Sequence, residues 1–261
     1  MSKSNYWDRS FLGIKYYKVQ YYVKLLLYKS LGITLPKMMD QRNYWDIRGH
    51  AFMDDMMKSG FDDREIFFQN MLIHELKKLE FNSFFEAGSG YGWNIRRVYE
   101  EFPHACVGGL DFSITQLMNS KKYLENTEIP VVNGDNCMIP LKDNAYDIGF
   151  SLGVFMNIHP SKIKSALKEM IRVCGKYIIH IEYDENYTTP ELKKQRAFKT
   201  NIISHNYKKL YTDLGVNVEK FSTYKEFGKY YDEHINNIST RLTRWEGFEG
   251  AEKYIFIMVK L

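Results

Sequence analysis

The chain is 261 residues long and carries a formal charge of +4 at pH 7. So mild a charge argues against a dedicated nucleic-acid binder, which would carry a stronger basic patch, and no apolar run approaches the length that spans a bilayer. With 44% hydrophobic residues it has the composition of one large packed domain, or of a domain plus a cap, and no internal repeat or low-complexity stretch divides it. Lys3, Asp8 and Arg9 interrupt the start, without the apolar core and cleavage site of a secretory leader. Cys106, Cys137 and Cys174 are odd in number and fall in or beside expected strands. Reduced thiols in a cytoplasmic protein are the expectation, and the sequons at Asn186 and Asn237 are then incidental.

Residues 1–79 read as an N-terminal helical cap. Lys15 to Tyr28 is rich in Tyr, Val and Leu with lysines interleaved, and no acidic residue occurs between Asp8 and Asp40. The segment from Lys15 to Lys29 is expected to pack as a cap helix with its lysines in water; a basic aromatic helix of this kind can also lie on an anionic membrane surface. Next comes Asn43-Tyr44-Trp45-Asp46-Ile47-Arg48-Gly49, then a helical pattern around Ile66 to Leu79. Tyr44, Trp45 and Arg48 are candidates for a lid.

An apolar strand, Asn82 to Phe85, then runs into Glu86 and a loop containing Gly88, Gly90 and Gly92, followed by a helix from Ile95 to Glu101. Glycines let the backbone turn tightly and approach a ligand that a Cβ would push away, and the helix N-terminus offers free N–H groups to it. A dinucleotide fingerprint would place its third glycine at position 93, where this chain has Trp93. Glu86 also suits a cofactor with a cationic amino group better than a pyrophosphate, which a carboxylate repels. A second strand, Ala105 to Leu110, ends at Asp111, about 20 residues after the loop, where a carboxylate can accept both hydroxyls of a ribose. A third, Pro130 to Val132, leads to the polar turn Gly134-Asp135-Asn136-Cys137, and Ile139 to Asp147 leads to a fourth, Ile148 to Ser151.

Four ordered stretches, Glu86 to Gly92, Asp111 to Ser113, Ile139 to Asp147, and His159, resemble the class I S-adenosylmethionine (SAM) dependent methyltransferases, most closely their broad small-molecule group. The resemblance covers roughly residues 80–184 and includes Glu169 to Val173, which matches the helix before the family's fifth strand. Ile139, Leu141 and Tyr146 depart from the usual residues by apolar exchanges. The resemblance implies an α/β, Rossmann-like seven-stranded sheet with helices on both faces over residues 80–261, with insertions after strands 5 and 6. It further implies SAM as cofactor. Glu86, Gly88 and Gly90 would face its methionine part, Asp111 the ribose, Phe112 the adenine face, Asp135 the adenine amino group with Asn136 beside it, and Ser151 the loop beneath the sulfonium; Tyr44 and Arg48 would close the lid.

The remaining elements are a fifth strand, Tyr177 to Ile181, a helix from His205 to Leu214 ending at Gly215, and two terminal strands, Val216 to Phe221 and Tyr254 to Val259. Insertions at 184–204 and 222–250 have the length of lids or binding loops. His159, with a pKa suited to deprotonating a hydroxyl or amine, is the first candidate base, and Glu182 and Asp184 are candidates to hold the acceptor. Compact metal-ligand spacing is lacking, so no metal is expected. The expected activity is methylation of an O or N acceptor in a small metabolite or sugar-like precursor. A peptide or protein acceptor, or a non-catalytic SAM-binding partner of another enzyme, are the alternatives.

Overall fold

The computed structural model describes residues 41–59, 61–190, 203–238 and 251–261, together with residues 10, 11, 14, 15, 23, 26, 30 and 31. Two short strands, β1 (Ser10–Phe11) and β2 (Ile14–Lys15), pair antiparallel. Lys15 therefore opens no helix, and most of the basic stretch that follows it lies outside the described residues. Two helices follow: α1 (Gln41–Ser59) and α2 (Phe61–Leu76).

The rest is an alternating α/β chain. In order come β3 (Ser83–Ala87), α3 (Trp93–Glu101), β4 (Cys106–Asp111), α4 (Ile114–Tyr123), β5 (Val131–Asn133) and β6 (Tyr146–Leu152). They are followed by α5 (Ile163–Val173), β7 (Cys174–Tyr183), α6 (Tyr207–Asp213), β8 (Asn217–Ser222), α7 (Tyr224–Ile238) and β9 (Tyr254–Lys260). The seven strands β3 to β9 form one sheet in the order β5-β4-β3-β6-β7-β9-β8, with β9 antiparallel to both of its neighbours. After β3 the chain builds outward through β4 and β5, then returns to lay β6 on the other side of β3. This reversal is the topological switch point, where the loops at the carboxyl ends of the strands part and leave a crevice.

Strand periodicity assigns the core. Phe84 and Phe85 are adjacent and both buried, but they point to opposite faces and join separate clusters, one with Ile148 and Phe150, the other with Leu110 and Ile178. Such doubly buried strands read as continuous apolar runs because helices cover both faces. On one face α5 packs with Ile163, Ala166, Leu167, Met170 and Val173, the spacing of a single helical stripe. The other face is covered by α2 and α7, whose Phe68 and Phe227 meet edge to face at 6.1 Å. Most of the 222–250 insertion is thus a buttress, since Phe227, Tyr231 and Ile238 face the core; residues 239–250 lie outside the described residues, as do residues 191–202 of the other insertion.

Candidate functional site

A cavity of ≈ 370 Å³ opens at the switch point. Its floor is set by the glycine loop between β3 and α3, in which Gly88, Gly90 and Gly92 have φ of 78°, 55° and 95°. At Gly88 the need is steric as well, because a Cβ there would lie 2.3 Å from Val154. The loop is tied to the next strand: Gly88 and Ser89 donate their N–H groups to the Leu110 carbonyl at 2.7 and 2.9 Å. Gly90 donates to Asp111 Oδ2 at 3.0 Å.

Glu86 and Asp111 stand side by side at the ends of β3 and β4, and both line the cavity. One oxygen of Glu86 accepts from Asn94 Nδ2 at 2.7 Å, while Oε2 is buried without a protein partner. Burial, reinforced by the charge of Asp111, pushes the Glu86 carboxyl up to about 8. Burial likewise raises Asp111 to about 6, against the opposing hydrogen bonds from Ser113 and Gly90. A carboxyl left with an unpartnered oxygen at the wall of a cavity is poised for a cation, because an unpaired buried polar atom costs about 1–3 kcal/mol. Ser89 Oγ and Asn136 Oδ1 are two further buried cavity-lining atoms without a partner. Asp135 lies on the same wall, with Oδ1 accepting from the Cys137 N–H at 2.8 Å. Phe112 lines it too, with the Arg42 guanidinium 5.6 Å above its ring. A cationic amino group at Glu86, a diol at Asp111 and a flat heteroaromatic ring at Phe112 and Asn136 are what these groups can hold; SAM presents all three.

The roof is α1. Tyr44 and Arg48 line the cavity with Trp45, Phe52 and Met56. A run of ring contacts, Tyr44 to Trp45 at 5.4 Å, Trp45 to Phe52 at 5.3 Å and Phe52 to Tyr91 at 6.1 Å, carries the lid onto the glycine loop. Polar latches hold its back: the Ser113 hydroxyl donates to Asp46 at 2.7 Å and Asn119 Nδ2 to the Gly49 carbonyl at 2.8 Å. The contact at Gly49 is tight, since a Cβ there would lie 3.0 Å from the Thr115 side chain.

Four expected site residues are not on the cavity. Ser151 is fully buried, donating to Glu182 Oε1 at 2.7 Å and bonded to His180 Nδ1 at 2.7 Å. Glu182 is equally buried and its carboxylate accepts from Ser151 and from the N–H groups of Val154, Phe155 and Met156 at 2.9, 3.0 and 3.3 Å. It holds the loop after β6 and cannot touch an acceptor. His159 is exposed and its Nδ1 is engaged by Ser161, whose Oγ lies at 2.8 Å. The reason is a short turn, Phe155–Asn157, which directs Met156, Asn157 and Ile158 to the cavity and carries His159 past it. Asp184 is spent on structure, accepting from the Asn186 and Tyr207 N–H groups. His159→Ala is accordingly expected to leave turnover within about twofold of wild type, the range of a surface change; steady-state kinetics check this, and a hundredfold loss would return His159 to the mechanism.

The sequence reading missed Asn94 at the start of α3, Glu65 on α2, and Tyr183 and Tyr254 at the adjoining ends of β7 and β9, all on the cavity wall. Tyr183 and Tyr254 are register partners across the sheet, a neighbourhood that no local motif encodes. Among the described residues no group of three or more His, Cys, Asp or Glu is placed to hold a metal ion, and no helix is long and apolar enough to cross a membrane.

Sheet order, glycine loop and paired carboxylates are those of the class I SAM-dependent methyltransferase fold. The family model described as Methyltransferase domain matches residues 84–176, the stretch from β3 into β7. No curated protein sequence is significantly similar to the chain. Solved structures share the fold at low identity. A Haemonchus contortus phosphoethanolamine N-methyltransferase 2 in complex with SAM superposes with a TM-score of 0.63 and 14% identity over 87% of this chain and 61% of its own. A chain of the Haloferax volcanii complex between the Trm112 methyltransferase activator and a methyltransferase gives 0.56 and 16%, over 86% and 99%. Geranyl diphosphate C-methyltransferase from Streptomyces coelicolor A3(2) gives 0.54 and 13%, over 69% and 70%.

Proposed function

We propose that the protein moves the methyl group of SAM to a nitrogen or oxygen of a small-molecule acceptor enclosed beneath the α1 lid. The observation that carries the reading is the adjacent pair Glu86 and Asp111, one with a buried unpartnered oxygen, set beside a glycine loop that leaves room for a ligand. Displacement at a sulfonium needs alignment and exclusion of water more than it needs a reactive side chain. A lid stitched by aromatic contacts and latched through Asp46 and Asn119 supplies both, and it favours a small acceptor over a peptide, which would need an open groove. Three unbridged cysteines support a reducing, cytoplasmic setting.

Two measurements test this. Calorimetry with S-adenosylhomocysteine should show binding without added metal, weakened by about 1–3 kcal/mol in Asp111→Ala, the value of a charge-assisted hydrogen bond. Incubation with trideuteromethyl-SAM and a cell extract should place the label in the small-molecule filtrate. Label in protein instead would favour a peptide acceptor, and unchanged affinity in Asp111→Ala would undo the cofactor assignment.

A further inference from the structure

Resting on the reading of the cavity as a SAM site, we propose that Gln69 of α2 is a positioning residue for the cofactor, turning the Asn94 amide so that its Nδ2, and not its oxygen, meets Glu86. Position is the first argument. Gln69 faces inward from α2 and is 3% exposed. Its Nε2 donates to the Trp93 carbonyl at 3.3 Å and to Asn94 Oδ1 at 3.4 Å, at the first turn of α3. Asn94 presents its other end to Glu86, whose Oε1 accepts from Nδ2 at 2.7 Å. Side chains from α2, α3 and β3 thus form one line of donation that ends on the carboxyl group. Its second oxygen, Oε2, is the buried atom without a protein partner. Asn94 and Glu86 line the cavity, and Gln69 stands behind them.

Chemistry is the second. An amide turned over about its last torsion exchanges a donor for an acceptor with little change of shape. The end that Glu86 meets therefore decides which form of the acid is favoured. Facing Nδ2, the carboxyl accepts, and its ionised form is stabilised; facing Oδ1, it bonds only by keeping its proton and donating it. Glu86 does not settle the choice alone. Burial above all, with the charge of Asp111 added, holds its pKa up at about 8, so the free protein carries the acid near neutrality. Gln69 does settle it, because a turned-over Asn94 would aim Nδ2 at Gln69 Nε2, donor against donor, and the Trp93 carbonyl holds Nε2 in place. The Ile95 N–H favours the ionised form as well.

The consequence is a link from α2 to the charge of the acid that receives the ammonium. Other charged residues share the cavity with Glu86: Asp111 on β4, Arg64 and Glu65 on α2, Arg48 on α1, and Asp135 after β5. Each of them stays in place when Gln69 alone is changed, so a shift in the ionisation of Glu86 reports the amide.

The test is calorimetry with S-adenosylhomocysteine on the full chain. Gln69→Met keeps the length of the side chain without its donor. It should weaken binding about tenfold at pH 7, the order of one hydrogen bond to a charged group. Gln69→Glu, whose carboxylate would accept from a turned-over Asn94, should weaken it further. In buffers of different ionisation enthalpy at pH 8, both variants should release more protons per ligand than wild type, the ligand's own share being the same in all three. In a Glu86→Gln background, with no acid left to ionise, Gln69→Met should change affinity by less than about twofold. Urea melts show which variants fold, and Gln69→Glu carries the same readouts where Gln69→Met does not fold. Unchanged affinity, a loss with wild-type proton release, or an equal loss in the Glu86→Gln background would overturn the positioning role and leave the cofactor reading intact. Absence of binding in wild type would overturn both.

Discussion

Replacing Glu182 by alanine should lower the unfolding free energy by about 3–5 kcal/mol, because the change strands two buried donors and two half-buried ones at once, and a buried donor left unmet costs about 1–3 kcal/mol. The Val154, Phe155 and Met156 N–H groups wrap one carboxylate, and Ser151 donates to it as well. Behind Ser151 the bonds run in one direction. With Ser151 donating to Glu182, His180 Nδ1 must donate to Ser151, and Nε2 is then free to accept from the Tyr211 hydroxyl at 2.6 Å. That order requires a neutral His180, and burial holds its pKa down at about 3. Alanine at position 182 therefore unties a network joining β6, β7 and α6, together with the loop that carries Val154, Met156 and Asn157 to the cavity. Against a total of about 5–15 kcal/mol for a folded domain, such a loss is a large fraction. Urea melts of the variant check it. A loss below about 1 kcal/mol, the centre of ordinary substitutions, would mean that water replaces the carboxylate and that Glu182 is no anchor.

The same loop shows where sequence reasoning succeeds and where it stops. Strand, acid, glycine loop and helix from Ser83 to Glu101 were legible because each signal is local: an apolar run, turns that require positive φ, and a helix start within a few residues. Asp111 was legible for a related reason, since the length of one βα unit places it on the neighbouring strand. His159 was not. Its fate depends on a single turn at Phe155–Asn157, and within such a turn a shift of two residues exchanges cavity for solvent. Glu182 follows the expected strand Tyr177 to Ile181, yet β7 continues through Tyr183 and buries it. Glu65 offered only a charged residue in a helical pattern. Its burial comes from α2 lying against the sheet near Tyr254, a contact between residues separated by most of the chain.

Cofactor affinity should rise about tenfold per pH unit as pH climbs from 6 toward 8, and the Glu86 carboxyl sets that slope. In the free protein burial holds it up at about 8 from an ordinary 4.5, so across this window the folded state carries a proton that the unfolded chain has shed. The sign for stability follows: the folded state binds more protons, and stability falls as pH rises through the window until Glu86 ionises. For binding the sign is opposite. An ammonium beside Glu86 Oε2 favours the carboxylate, so binding expels the proton and is weakened by acid. From pH 8 down to 6 the expected loss approaches a hundredfold, about 2.7 kcal/mol at 1.36 kcal/mol per unit. Above about pH 8 the amino group of the cofactor itself deprotonates and affinity should fall again. Asp111, raised to about 6, adds a second and lower step. Calorimetry with S-adenosylhomocysteine in buffers of different ionisation enthalpy counts the protons directly, and close to one should be released per ligand bound at pH 7. Glu86→Gln should bind more weakly with a flat profile between pH 7 and 8, keeping only the Asp111 step. A wild-type affinity independent of pH between 6 and 8 would show that Glu86 is ionised before the ligand arrives, and would remove the ammonium contact as the reason for its burial.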